Sequence, residues 1–426
     1  MKLNELKDKK IIVLGLGREG RDNFLFLRKL FPQKVIGIAD RKTELDFKNK
    51  KAKFHLGKNY LKALKDYDVV IKSPGIPFKN IPRSGLRKLV TQTDIFFDNC
   101  KGSIVGVTGT KGKSTTCSMI YDVLKAGKIK AHLVGNIGRP VLNLLSSAGP
   151  KDVYVYELSS HQLYNLKKPA YRQADRPHIA VFLNIFKEHL DYYRNFKEYA
   201  RAKANIILYQ KENDYLVYNP TDKLVKRFAL KSKARKIKIQ GSYYELDKNA
   251  ARAVGKIFKI PAKTIEKAIK KFKYLPHRLE SVGKFRGITF YNDALATIPE
   301  ATMAAIDALG NRVETIMLGG FERNIDFKNL AKKVLQSKIK TVILFPTTGI
   351  RIWKDILKLS RSRGLPKNFF VSNMKDAVET AYQQTNPGKI CLLSTASSSF
   401  SIFRDYKEKG DLFKKYVKEI GRKKNR

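Results

Sequence analysis

Acidic residues are scarce in this chain. Its 426 residues hold 38 Asp and Glu against 86 Lys and Arg, a formal net charge of +48. Such a balance raises the question of a nucleic-acid partner, because neutralising phosphates favours dense basic surfaces. The basic residues, however, are spread along the whole sequence, with only short runs such as 48–53. Aromatic residues do not alternate with them as they do in RNA-binding modules. The reading is solvated basic faces with no specific nucleic-acid partner. Cysteine is nearly absent: Cys100, Cys117 and Cys391 are odd in number and far apart. They make neither a disulfide framework nor a metal pattern, and a reducing, cytoplasmic setting is expected. Long apolar runs are missing too. None approaches the roughly 20 residues of a membrane helix, so no membrane partner is expected. The first apolar run begins only at Ile11, is short and contains Gly15 and Gly17. With no small-residue cleavage site behind it, a signal peptide is not expected. Internal repeats and low-complexity linkers are also lacking.

What is present is a globular composition, 43% hydrophobic, in an α/β pattern of short apolar strands alternating with amphipathic stretches. Strands are expected at Ile11–Gly15, Val35–Ala39, Val69–Ile71, Ile104–Thr108, Val153–Leu158 and Ile179–Asn184. Beyond Tyr274 the pattern restarts at Ile288–Tyr291, Val313–Leu318, Thr341–Phe345 and Ile390–Leu393. Breaks near Asp98–Gly102 and Leu275–Arg278 divide the chain into three α/β domains, 1–98, 99–276 and 277–426.

Two glycine motifs stand out. Gly15-Leu16-Gly17-Arg18-Glu19-Gly20 follows a strand, opens a helix and precedes Asp40 and Arg41. Glycines there let backbone N–H groups approach a diphosphate at a helix N-terminus. The motif alone leaves open NAD, another nucleotide diphosphate, or a tight turn without ligand. Gly109-Thr110-Lys111-Gly112-Lys113-Ser114-Thr115 is far more specific: strand, glycine loop, lysine, hydroxyls, helix. Its amides would cradle phosphates, Lys113 would neutralise the β/γ-phosphates of ATP, and Ser114 or Thr115 would ligate Mg²⁺. It departs from the strict phosphate-loop pattern, because Val107 stands where the first glycine belongs. Glu157 ends a strand, where open sheets place ligands, and suits a hard cation. His189 follows another strand but alone reads as an ordinary histidine. Lys203 alone is one more solvated lysine, and Asp293 alone is a helix N-cap.

In order and spacing, several segments together resemble the Mur ligase family along essentially the whole chain. They are the 109–115 loop, Gly135-Asn136-Ile137-Gly138, Glu157 to Leu163, Asn184 with His189-Leu190-Asp191, Ala202-Lys203, Leu275 to Glu280, Asn292-Asp293 and Leu318-Gly319-Gly320. The resemblance implies a Rossmann-like N-terminal domain, a central ATPase domain with a parallel phosphate-loop sheet, and a Rossmann-like C-terminal domain. It implies a monomeric ATP- and Mg²⁺-dependent amide ligase of cell-wall precursor synthesis, acting on UDP-N-acetylmuramoyl-L-alanine and D-glutamate. The uridine diphosphate end would fall to Gly15, Gly17, Asp40, Arg41, Ser73, Pro74, Gly75 and Asn136. Asn249, Arg278 and Asp293 would touch nucleotide. Glu157, His189 and a carbamylated Lys203 would join Ser114 on magnesium and, with Lys113, make the catalytic group. Thr297, Arg323, Ser399, Phe400 and Tyr406 would receive the amino acid. Departures cluster at that last pocket: Leu295, Glu322-Arg323-Asn324, Ser394-Thr395-Ala396 and Ser401 stand where the family carries other residues. The histidine–asparagine pair ahead of Asn249 is also missing.

Overall fold

A computed structural model of the chain describes every residue except 139–140, 147, 165, 167–175, 189–191, 242, 361–363 and 423–426. The chain divides into two compact units, 1–240 with 246–272, and 241–245 with 273–426.

The first unit carries two parallel sheets. One has the order β3-β2-β1-β4-β5, from β1 (Ile11–Leu14), β2 (Ile36–Asp40), β3 (Ala52–Leu56), β4 (Val69–Lys72) and β5 (Leu89–Thr91). The other has the order β11-β10-β9-β6-β8-β7, from β6 (Ser103–Thr108), β7 (Ala131–Gly135), β8 (Val153–Glu157), β9 (Ile179–Phe182), β10 (Tyr215–Tyr218) and β11 (Arg235–Lys238). β1, β4, β8 and β9 are buried at every position. Burial on both faces is why they read as continuous apolar runs and were legible as strands. Strand order reverses beside β1 and beside β6, so crevices open outside their carboxyl ends. The two glycine motifs leave β1 and β6 at those ends.

The second unit holds a sheet in the order β12-β13-β17-β14-β15-β16. Its strands are β12 (Glu280–Phe285), β13 (Ile288–Asn292), β14 (Val313–Gly319), β15 (Thr341–Phe345), β16 (Lys367–Phe370) and β17 (Ile390–Leu393). Only the β12–β13 pair is antiparallel in this sheet.

Every strand expected from the sequence forms. β3, β5, β7, β10, β11, β12 and β16 form besides those, and all of these except β10 are sheet edges. An edge strand pairs on one side only and tolerates charge, as in Arg235-Lys236-Ile237-Lys238, so it carries no apolar run to read. Among the described residues, no helix is long and apolar enough to cross a membrane.

Candidate active site

The loop after β6 is pinned from beneath. The Asn184 side chain accepts from the Lys111 N–H at 2.9 Å and donates to the Lys111 carbonyl at 3.1 Å. The Thr110 N–H donates to the Asn184 carbonyl at 3.0 Å, and the Phe186 N–H donates to the Thr110 hydroxyl at 2.9 Å. The Lys111 ammonium pairs with Glu188 at 2.7 Å. Gly112 turns the chain at φ +89° into the helix Lys113–Ala126, a conformation that costs only glycine nothing. The loop N–H groups and the start of a fourteen-residue helix are thereby preorganised for anionic oxygens.

Two ammonium groups converge on one carbonyl of this loop. Lys113 Nζ donates to the Gly109 carbonyl and the Thr110 carbonyl, each at 2.9 Å. Lys203 Nζ donates to the same Gly109 carbonyl at 2.7 Å. Lys203 is not the solvated lysine its sequence context suggests. It is only 2% exposed, on the helix Phe196–Ala204, which Asn195 caps by accepting from the Glu198 N–H. Its ammonium lies 4.9 Å from the centre of the Tyr199 ring one turn back. Burial, and then the nearby Lys113 charge, hold the amine well below the usual lysine range. Ser114 and Thr115 are buried in the first turn of the loop helix. At the end of β8, Glu157 is 3% exposed, and its Oε2 has no hydrogen-bond partner among the described residues. A buried carboxylate oxygen left unbonded is costly, and it marks a place where a hard cation fits. Among the described residues, no three His, Cys, Asp or Glu side chains cluster as a metal set. His189, Leu190 and Asp191 lie outside the described residues.

Asp247 stands at this loop although no motif in the sequence marks it. It is 1% exposed and accepts a short hydrogen bond from the Thr116 hydroxyl. A Cβ on Gly112 would lie 2.9 Å from its Oδ1. Asn249, two positions on, is turned elsewhere: its amide donates to the Gln240 carbonyl at 2.6 Å and accepts from Arg252 at 2.8 Å. The acceptor that the helix Tyr243–Ile257 turns toward the loop is therefore Asp247. Alanines at 250 and 251, both fully buried, were the available signal, since they fix which face of the helix points inward.

At the first sheet, Gly15 turns at φ +86° and its carbonyl accepts from the Ser73 hydroxyl at 2.6 Å. This joins the glycine turn after β1 to the Ser73–Pro74–Gly75 loop after β4. Asp40 accepts from the Leu16 N–H at 2.8 Å and the Lys42 N–H at 3.0 Å, so its carboxylate closes the turn. Gly17, Arg41, Gly75 and Asn136 are exposed, and Pro74 is half-buried. Asn136 and Pro74 share a cavity wall with Arg18.

In the second unit, Asp293 accepts from the Leu279 N–H at 3.1 Å and the Ser394 hydroxyl at 2.9 Å. Burial pushes its carboxyl up to about 7. Lys409 donates to the Thr395 hydroxyl at 2.6 Å, and burial pushes its amine down to about 7. Arg278 and Thr297 are half-buried nearby in the chain. Arg323 lies 6.0 Å from the Phe400 ring centre, and Phe400 meets Phe321 edge-on at 6.3 Å. Both rings are exposed, at 57% and 43%. Beside them the hydroxyls of Ser398, Ser399 and Ser401 have no partner among the described residues. Tyr406 packs its ring edge-on against His277 at 5.8 Å.

A phosphate loop at a strand-order reversal, two lysines on one loop carbonyl and an unbonded buried carboxylate define an enzyme built around a nucleotide's phosphates. Residues 107–287 match the Mur ligase middle domain and residues 277–397 the Mur ligase glutamate ligase domain. The UDP-N-acetylmuramoylalanine–D-glutamate ligase of Ligilactobacillus salivarius is 30% identical over 98% of both chains. The ligase of that name from Acetivibrio thermocellus is 29% identical over 98% of this chain and 99% of its own. The chain belongs to the Mur ligase family and is an ATP-dependent, ADP-forming amide ligase. The fold agrees with solved members. MurF ligase from Thermotoga maritima in complex with ADP has a TM-score of 0.60 at 16% identity, over 98% of both chains. The pseudomurein peptide ligase type C from Methanothermus fervidus has a TM-score of 0.58 at 17% identity, over 97% of this chain and 100% of its own.

Proposed function

We propose that the chain joins D-glutamate to UDP-N-acetylmuramoyl-L-alanine with ATP, in the three-domain arrangement 1–98, 99–276 and 277–426, as a cytoplasmic monomer. The observation that carries this is the near-full-length similarity to ligases of that name.

A carboxylate is a poor acyl donor, so the substrate carboxylate first takes the γ-phosphoryl group of ATP, giving an acyl phosphate and ADP. The loop amides and Lys113 stabilise charge spreading over the phosphoryl oxygens. The amine of the incoming amino acid then attacks the acyl carbon, and phosphate leaves as the amide forms. ATP is assigned to Gly109, Thr110, Lys111, Gly112, Lys113, Ser114 and Thr115, with Asn249, Arg278 and Asp293, and we add Asp247. The uridine diphosphate end is assigned to Gly15, Gly17, Asp40, Arg41, Ser73, Pro74, Gly75 and Asn136.

Ser114, Glu157, His189 and Lys203 would hold Mg²⁺, which when bound neutralises phosphoryl oxygens. The unbonded Glu157 oxygen supports that fit. An ammonium at Lys203 would repel a cation. Addition of CO₂ to its neutral amine, with loss of one proton, gives a carbamate with oxygen donors.

The amino acid is assigned to Thr297, Arg323, Ser399, Phe400 and Tyr406. Three unpartnered serine hydroxyls beside an exposed arginine suit a ligand rich in carboxylate oxygens. Leu295 departs from the family's lysine in that pocket and favours, as a second reading, a different incoming amino acid. Phosphate release with UDP-N-acetylmuramoyl-L-alanine against a panel of amino acids decides between them. Release that D-glutamate stimulates most supports the assignment, and preference for another amino acid replaces it.

A further inference from the structure

A buried lysine stands beneath the serine loop of the second unit, and no step of the ligation uses it. Lys409 is 1% exposed, on the helix Tyr406–Arg422. Its ammonium ends on a hydroxyl, donating to Thr395 at 2.6 Å, while the neighbouring Ser394 hydroxyl donates to the Asp293 carboxylate at 2.9 Å. Thr395 lies just past β17 and is one of the positions at which the chain departs from its family's pattern. The loop it opens is tight. The Gly319 N–H donates to the Thr395 carbonyl at 2.9 Å, and the Phe321 N–H to the Ser398 carbonyl at 2.8 Å. Between those two anchors Ala396 turns at φ +55°, a conformation that a residue with a Cβ adopts only at a cost. The Thr395 hydroxyl donates across this turn to the Ser397 carbonyl at 3.1 Å, and the Ala296 carbonyl is farther off at 3.4 Å. Ser398, Ser399 and Ser401 come next, and their hydroxyls have no partner among the described residues.

We propose that Lys409 and Thr395 are a positioning pair for the amino-acid pocket: the buried ammonium fixes the direction of the Thr395 hydroxyl, and that hydroxyl holds the turn that carries Ser398, Ser399 and Ser401 into the pocket. This rests on the assignment of that pocket to the incoming amino acid.

An ammonium has three donors and no acceptor, whereas a hydroxyl has a single hydrogen and can also accept. Beside Lys409 the Thr395 oxygen must accept, so its one hydrogen is left for the Ser397 carbonyl. Without Lys409 that hydrogen is free to turn to another acceptor, and the turn at Ala396 loses the bond that spans it. Burial sharpens the choice, because bulk water does not compete for either group. Lys409 acts through Thr395, and Thr395 through the turn, so both are positioning residues rather than catalytic ones. Loss of their bond should loosen the amino-acid pocket and leave the phosphate loop armed, since that loop belongs to the first unit.

The test is steady-state phosphate release by the full chain in slightly acidic buffer, where Lys409 keeps its proton. ATP, UDP-N-acetylmuramoyl-L-alanine and the amino acid that stimulates release most, D-glutamate first, are varied in turn. Lys409→Met keeps the length of the side chain and removes its donors, and Thr395→Val keeps the shape and removes the hydroxyl. Each should raise KM for the amino acid by roughly tenfold, the worth of one hydrogen bond to a charged group, with KM for ATP unchanged. Lys409→Met/Thr395→Val should be no worse than the more affected single variant, because both remove the same bond. Thr395→Ser should keep the wild-type KM. An unchanged KM for the amino acid, an equal rise for all three substrates, or additive effects in the double variant overturns the proposal. Loss of folding in both single variants also overturns it, because the bond would then support the core rather than the pocket. A wild-type chain whose phosphate release no amino acid stimulates overturns the pocket assignment itself, and the pair's role with it.

Discussion

At the scale of single residues, the active loop is a problem of crowded positive charge. Lys113 and Lys203 both end on the Gly109 carbonyl, an arrangement that anions relieve. Lys113→Ala should leave the fold intact, since this half-buried side chain fills no core, yet lower phosphate release by roughly 10²-fold or more, as loss of one preorganised stabiliser does. Near-normal release from a folded variant would exclude the role. Lys203→Ala should also be inactive, but acetate or formate should restore part of the activity by supplying the missing oxygen donors. Full activity without added carboxylate would return Lys203 to the status of a packing residue. Asn184 binds both the N–H and the carbonyl of Lys111. Asn184→Ala should therefore raise KM for ATP, with a cost of about 1–3 kcal/mol for the unpaired loop groups.

At the scale of elements, glycine and buried charge set how closely parts approach. A Cβ on Gly20 would lie 1.9 Å from the Gly15 carbonyl and 2.8 Å from the Ser73 hydroxyl. Gly20→Ala must push the helix Arg18–Leu30 off its sheet. It should cost about 1–3 kcal/mol in urea unfolding, the range for overpacking. An unchanged urea midpoint would show that the turn yields freely. In the second unit, the loop after β13 carries Asp293, whose carboxyl burial raises from 3.8 to about 7. A folded-state value above the unfolded one means that the native state binds the proton more tightly. This contribution is complete below 3.8 and lost as pH rises through about 7. Denaturant midpoints of the wild type should therefore fall, relative to Asp293→Asn, across that interval. Parallel curves for the two proteins would show that Asp293 does not titrate there.

For the whole molecule, the +48 charge is spread over all three sheets and their helices rather than gathered at one motif. Any nucleic-acid binding should be weak, independent of base sequence and steeply salt-dependent, because only phosphates would be contacted. Sequence-selective binding that survives physiological salt would show that the charge has a dedicated partner. The sheets also explain where sequence reading stopped. Strands buried on both faces, such as Val153–Glu157, are apolar up to their last residue and legible. Edge strands such as Ala52–Leu56 and Arg235–Lys238 carry lysines and arginines, and nothing local separates them from loops.

The sequence by itself determined the phosphate loop, because a strand, glycines, a lysine and a helix start are contiguous and their geometry is local. It also determined the alternation of strand and helix that makes the sheets parallel. Tertiary structure alone decided which charged groups are buried. Lys203 and Lys409 look like any of the other lysines until packing removes their water, and their altered basicity exists only then. That Asp247 faces the phosphate loop was likewise a matter of which helix face turns inward. Desolvation and facing depend on residues distant in the chain, so they become definite only when the sheets close around them.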